Sequence, residues 1–213
     1  MRRKRQKSTG GSLLELVLIV AVALGLALGI QAFLIKPYRI PSGSMEPTLD
    51  VGQRVLVNRI GNRFNDPHVG EIIVFHPPCA ATGCEAGKGA NGECGVDNPP
   101  SEPCPQPVGK ESGENFIKRV VAGPGDTIAV RNGHVIRNGK LQKEPFISHS
   151  CDNNSGGDCN LPRAIKIPPG HWFMMGDNRG ESDDSRYWGP VPKKWIIGGA
   201  FATYWPPKRI GFL

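Results

Sequence analysis

From residue 16 to residue 30 the chain reads LVLIVAVALGLALGI, fifteen apolar positions without a break. Beyond Gln31 the run continues through Ala32, Phe33, Leu34 and Ile35 to make twenty. At about 1.5 Å of rise per residue, twenty helical residues span roughly 30 Å, the thickness of a bilayer's hydrocarbon core. The pattern changes after Lys36. Short apolar or alternating runs follow at residues 54–58 (RVLVN), 71–75 (EIIVF), 115–121 (NFIKRVV), 127–131 (TIAVR), 171–175 (HWFMM) and 196–204, several bounded by Gly, Pro, Asn or Asp. Such runs read as strands. Asn132-Gly133 and Asn138-Gly139 are hairpin turn signals. No long amphipathic helix appears, so the pattern predicts a mainly β protein, an antiparallel β domain preceded by one transmembrane helix.

Composition and charge sharpen this picture. Gly 28 and Pro 20 in 213 residues suit many turns and short strands rather than a helical bundle. The net charge of +7 would suggest nucleic acid, but Arg2, Arg3, Lys4, Arg5 and Lys7 supply five of those charges before the apolar run. The +2 left for the body is not the footprint of a nucleic-acid-binding face. Basic residues before the span place the amino terminus in the cytoplasm and everything after Lys36 outside it. A cleavable signal peptide shares the basic-then-apolar order. Against it, the apolar run is too long and its small-x-small sites lie inside the run. The expected organisation is a cytoplasmic tail (1–12), an anchor (13–35) and an extracytoplasmic domain (36–213). Within that domain lie a Cys/Pro/Gly-rich inserted loop (77–113) and a reduced second β region at about 127–170.

Cys79, Cys84, Cys94, Cys104, Cys151 and Cys159 all follow the anchor. An even count in a translocated region suggests disulfides. The pair Cys151 and Cys159 is favoured, because both lie in the short polar loop CDNNSGGDC. A zinc site is the rival, yet the first four cysteines lack tight C-x2-C knuckles. The formal G-x-G-x-x-G at residues 87–92 follows no strand and opens no helix, so it does not signal dinucleotide binding. Asn153-Asn154-Ser155 is a formal glycosylation triplet of a kind common by chance. There is no H-E-x-x-H or G-x-S-x-G, and His68, His76, His134, His149 and His171 are scattered like ordinary surface or core histidines. Nothing in the sequence calls for a cofactor or a metal.

Three segments carry candidate chemistry: 40–49 (IPSGSMEPTL), 116–126 (FIKRVVAGPGD) and 176–189 (GDNRGESDDSRYWG). Singly, each has a plain explanation: a Ser-rich turn, an outward lysine on a half-exposed strand, and a loop of Asx turns. Lys118 changes the weighing. It is flanked by Phe116, Ile117, Val120 and Val121, and an inward-facing amine there would be desolvated. Burial disfavours the ammonium form and lets a lysine serve as general base for a serine hydroxyl near neutral pH. Ser-Lys pairs are a known variant of the serine nucleophile arrangement.

Together these segments closely resemble the bacterial type I signal peptidases, membrane-bound serine proteases with a Ser/Lys dyad. The resemblance runs from the anchor to about Trp205, with P-S-G-S-M-E-P-T-L, F-I-K-R-V-V-A-G-P-G-D and G-D-N-R-x-x-S-x-D-S-R-Y-W-G in the family's order. It implies that Ser44 is the nucleophile and Lys118 the general base. Ser42 and the Ser44 amide would form the oxyanion hole. Ser182 would hydrogen-bond and orient the lysine, Asp184 and Arg186 would form a supporting ion pair, and Met45 would fall near the membrane face. The implied substrates are exported preproteins with small residues at −3 and −1, and the implied partners are these preproteins and the lipid bilayer, with no nucleic acid. The implied location is the bacterial plasma membrane, single-pass. Gly52-Gln53 and Gly180-Glu181 depart from the family's usual residues, at positions that are not catalytic. The rival from another class is an inert membrane-anchored β-rich binding or assembly protein, against which the complete Ser44/Lys118/Ser182 set argues. Sequence does not separate a housekeeping enzyme from one dedicated to a few substrates such as pilins. Ser44 follows Ile35 by only nine residues, within about 30 Å of the anchor's end, where a signal peptide's cleavage site emerges.

Overall fold

The computed structural model describes residues 9–83, 94, 101–106, 109–152 and 159–213. The basic cluster 2–7, the 87–92 glycines, Cys84 and the glycosylation triplet lie outside them. The chain opens in helix α1 (Thr9–Phe33), whose side chains from 13 to 28 are exposed all round. Among the described residues no helix is long and apolar enough to cross a membrane. Within α1 the described side chains run from 13 to 29, a rise of about 25 Å against the roughly 30 Å of a hydrocarbon core. The expected anchor therefore coincides with a helix, but not with a described span.

Four strands follow: β1 (Ile35–Arg39), β2 (Arg54–Asn58), β3 (Ile72–Phe75) and β4 (Phe116–Ala122). The next four, β5 (Thr127–Arg131), β6 (His134–Arg137), β7 (Lys140–Leu141) and β8 (Leu161–Lys166), leave to build a separate sheet in the order β7-β6-β5-β8. The chain then returns through β9 (His171–Met175), β10 (Val191–Pro192), β11 (Ile196–Trp205) and β12 (Gly211–Phe212). The larger sheet runs β1-β2-β11-β3-β4-β9-β10, with β12 beside β11. Every pairing is antiparallel. The structure is thus mainly antiparallel β, with the second sheet inserted between β4 and β9.

The alternation of side chains along a strand explains how one sheet serves two apolar layers. In β3, Ile72 and Val74 join a cluster with Ile40, Met45, Leu49 and Val57, whereas Ile73 and Phe75 join Trp172, Trp188 and Trp195 on the other side. Met45, expected near the membrane face, is fully buried in the first of these layers. Its thioether fills core instead of reaching a surface. The Asn-Gly turns are present: Asn132, Gly133, Asn138 and Gly139 all have positive φ, as two-residue hairpin turns matching the strand twist require. They join β5 to β6 and β6 to β7.

Two features tie the outlying parts to the larger sheet. Cys151 and Cys159 are disulfide-bonded, as are Cys94 and Cys104 within the inserted loop. That loop docks inward, because the Cys104 amide donates to the Arg186 carbonyl (3.0 Å) and the Arg163 amide to the Ser101 carbonyl (2.9 Å). The second feature is a buried ion pair. Arg179, 1% exposed, donates to both oxygens of Glu144 (2.6 and 3.1 Å), which follows β7, while its Nε donates to the Gly176 carbonyl (2.9 Å). Glu144 also accepts from the Val135 amide of β6 (2.8 Å).

Removing one member of a buried pair strands the other charge. Glu144→Ala should therefore lower the unfolding free energy by about 3 kcal/mol. Urea unfolding of the full chain in micelles measures it, and an unchanged midpoint would mean that Arg179 does not depend on Glu144.

Candidate active site

Ser44 lies in the 3-10 turn Gly43–Met45, entered from β1 through Ile40 and Pro41. The turn is held from behind by Asn178. Its amide donates to the Ser44 carbonyl (3.0 Å) and its Nδ2 to the Gly43 carbonyl (3.2 Å). With the backbone carbonyls fixed on that side, the Ser44 hydroxyl faces Lys118 of β4. Lys118 Nζ donates to Ser44 Oγ at 2.6 Å, across 74 residues of sequence. Ser42, exposed at the start of the turn, donates from its Oγ to Ser44 Oγ at 3.4 Å.

Lys118 is 4% exposed. Burial lowers its pKa to about 8, against the raising influence of Asp184 and Asp183. The amine is bonded to a hydroxyl rather than to a carboxylate, so desolvation prevails. A cleft of about 330 Å³ opens onto the pair. One wall is the 114–118 segment, another is Pro41 and Ser42, and Glu181 and Asp183 close the end. A neighbouring depression of about 280 Å³, lined by Tyr38, Arg39 and Val74, shares Pro41 and residues 114–117. The two form a groove between the end of β1 and the start of β4. Phe116–Lys118 pair with β3 on one side, while β9 pairs with β4 only from Arg119 onward.

The signal peptidase model, peptidase S26, matches residues 13–205. The chain belongs to the signal peptidase family. It is 39% identical over 199 residues to a probable signal peptidase I-1 of a Synechocystis species, covering 93% of this chain and 86% of that protein. It is 37% identical over 208 residues to signal peptidase I of Leptolyngbya laminosa, covering 98% and 87%. A probable signal peptidase I-2 of the same Synechocystis species is 33% identical over 211 residues, covering 99% and 82%.

The remaining site residues of this signal peptidase family member surround the Ser44–Lys118 contact. Asp184 and Arg186 are both buried and paired through two bonds, Nε to Oδ1 at 2.8 Å and Nη2 to Oδ2 at 2.9 Å. Burial alone would raise the Asp184 carboxyl, but the Arg186 charge and hydrogen bonds, with Lys118 nearby, hold it below its ordinary value. Asp184 also caps the short helix Ser185–Trp188 and accepts from the Gly176 amide (3.1 Å). Arg186 Nη2 donates to the Arg179 and Ser182 carbonyls (2.7 and 3.1 Å). Asp183 lines the cleft, and burial followed by the Asp184 charge pushes its carboxyl up to about 6.

Ser182 departs from expectation. Its Oγ is buried without a hydrogen-bond partner, so the expected bond to Lys118 is not made. The amine is engaged with Ser44 instead, and Ser182 packs against Gly176 beside the Ser44 carbonyl. A buried hydroxyl left unsatisfied costs on the order of 1–3 kcal/mol and is a group held ready for a partner.

Sequence reasoning assigned no role to Asn178, Asp177 or Arg119. Asp177 accepts from Arg119 Nε (2.9 Å) and Nη2 (2.6 Å) and from Thr48 Oγ1 (2.5 Å). The available signal was Arg119 itself, a second cation on an apolar strand, which burial obliges to find a carboxylate. Asn178 gave no signal, because its bonds to the Ser44 turn go to backbone carbonyls.

An amine whose pKa is lowered on folding opposes the folded state. Between pH 8 and the ordinary lysine value of 10.5 the unfolded chain binds the extra proton, so this cost is full below about pH 8 and fades as pH rises to 10.5. Lys118→Met should accordingly stabilise the protein at pH 7, on the order of 2 kcal/mol, with the gain shrinking toward pH 10.5. Urea unfolding at both pH values tests it; a destabilised variant at pH 7 would contradict a desolvated amine.

Proposed function

We propose that this protein is a membrane-anchored serine endopeptidase that removes signal peptides from exported preproteins, with Ser44 as nucleophile and Lys118 as general base. The observation that carries the reading is the 2.6 Å contact between the Ser44 hydroxyl and a buried lysine amine with a pKa near 8. An extended preprotein segment lies in the groove between residues 38–42 and 114–118. There the edge of Phe116–Lys118 opposite β3, unpaired among the described residues, offers backbone groups to a partner strand. Neutral Lys118 takes the Ser44 proton as Oγ attacks the scissile carbonyl, and passes it to the leaving amine. The Ser44 amide and the Ser42 hydroxyl stabilise the oxyanion, usually the largest catalytic contribution. Lys118 then activates the water that hydrolyses the acyl-enzyme. Ser182 receives the lysine amine when Ser44 is acylated, and the Asp184–Arg186 pair keeps the segment that carries Ser182 in place. Small side chains at −3 and −1 suit a groove bounded by Tyr38, Ile117 and Phe116.

Residues 16–35, apolar except for Gln31, anchor the enzyme in the bacterial plasma membrane as a single pass, and α1 carries them as far as Phe33. The basic residues 2–7 hold the amino terminus in the cytoplasm. The catalytic domain stands outside, in a compartment that tolerates disulfides. The short link from Ile35 to Ser44 keeps the nucleophile near the surface where substrates emerge.

Ser44→Ala and Lys118→Ala should each reduce cleavage of a model preprotein by about 10⁴-fold or more, with unaltered folding by circular dichroism. Lys118→Arg should fail equally, because arginine does not deprotonate at working pH. For the wild type, kcat/KM should rise as pH climbs through about 8. Substantial turnover by Lys118→Arg, or a rate falling across that range, would exclude the general-base role.

A further inference from the structure

A second cavity, of about 610 Å³, lies apart from the Ser44 cleft. Its walls are the Lys193–Trp195 turn, the first two residues of β11, Arg59, Asn62 and His76. Arg59, Lys193 and Lys194 line it, with no carboxylate among the described lining residues. Asp66 accepts from Lys193 Nζ at 2.6 Å. Lys194 is exposed. Asn62 adds a separate observation: its Nδ2 is buried and has no hydrogen-bond partner, a donor that awaits an acceptor. Trp195, Ile196 and Ile197 form an apolar wall.

The position of the cavity matters as much as its lining. The Arg59 amide donates to the carbonyl of Leu34 (3.0 Å), the residue that follows α1. Arg59 is thereby fixed at the point where the proposed anchor leaves the bilayer. A cationic pocket with an apolar wall at that depth meets lipid headgroups, and phosphate is the acceptor they present.

We propose that this cavity binds the phosphate of an anionic phospholipid, with Arg59, Lys193 and Lys194 neutralising the charge, Asn62 Nδ2 donating to a phosphate oxygen, and Trp195 and Ile196 covering the glycerol and first acyl carbons. The proposal rests on the anchor reading, which sets the cavity at the membrane surface. It gives the catalytic domain a fixed tilt relative to the bilayer, beyond what the single helix sets.

The test uses the full chain in zwitterionic micelles, titrated with short-chain phosphatidylglycerol or phosphatidylcholine. The readout is tryptophan fluorescence, with Trp195→Phe as the variant that should lose the signal. Phosphatidylglycerol should give a saturable change that phosphatidylcholine does not. Lys194→Glu should weaken it about tenfold, and Asn62→Leu several-fold, with preprotein cleavage in phosphatidylcholine micelles unchanged. Equal responses to the two lipids, or an undiminished response in Lys194→Glu, would overturn the site. Inorganic phosphate producing the same change at the same concentration would overturn the lipid assignment. The anchor is judged separately, by retention of the chain in purely zwitterionic bilayers, which does not involve the cavity.

Discussion

The structure turns on a lysine amine kept out of water without a carboxylate to bond. Around Lys118, three arginines are matched to three acids: Arg119 to Asp177, Arg179 to Glu144 and Arg186 to Asp184. Each pair is internally neutral and bonded through more than one contact, which is the condition under which buried charge is tolerated. Lys118 has the Ser44 hydroxyl instead. Asp184 and Asp183 pull its pKa upward, but Asp184 is committed to Arg186 and Asp183 is itself reluctant to ionise. The neighbourhood thus supplies enough negative charge to keep the amine buried and too little to hold its pKa at the ordinary lysine value. Stability is given up at that position, as is usual where function needs an unsatisfied group.

How much of this was legible beforehand follows from which interactions are local. The runs at 54–58, 127–131 and 171–175 became β2, β5 and β9 with those boundaries, and the Asn-Gly pairs became hairpin turns. Alternation and turn chemistry are short-range properties, so the sequence displays them. Strand β1 was missed because IKPYR adjoins the apolar run and contains a proline, and β8 because LPRAIK shows only weak alternation. Their pairing with β2 and β5 is decided by tertiary contact. Ser44 and Lys118 were legible through a resemblance and through the apolar flanks of the lysine. Asn178 was not, because its bonds to the Ser44 turn go to backbone carbonyls, which leave no complementary residue in the sequence.

The inserted loop shows the same limit from the other direction. Its composition gave it no role, yet Cys104 is fully buried with its amide on the Arg186 carbonyl. The Cys94–Cys104 bond confines the chain at that contact. A loop that reads as an appendage therefore braces the backbone of the arginine that holds Asp184. Likewise the second sheet, remote in sequence from Ser44, reaches the site through Glu144 and Arg179.

These connections converge on residues 176–186, and the reason is geometric. The nucleophile and its base come from segments 74 residues apart, so neither segment alone can set their separation. A third element has to bind both. Asn178 holds the Ser44 turn, Asp177 holds Arg119 beside the lysine, and Asp184 and Arg186 lock the segment to itself. Gly176 begins it, with its Cα against Ser182 and the Ser44 carbonyl. A Cβ at that position would overlap both, so only glycine permits the approach. The spacing of the Ser44–Lys118 pair is consequently fixed by backbone contact and by buried ion pairs, both stiffer than the side chains they align. A hydroxyl–amine contact set this way is ready before substrate arrives, which is what proton transfer at a near-neutral amine requires.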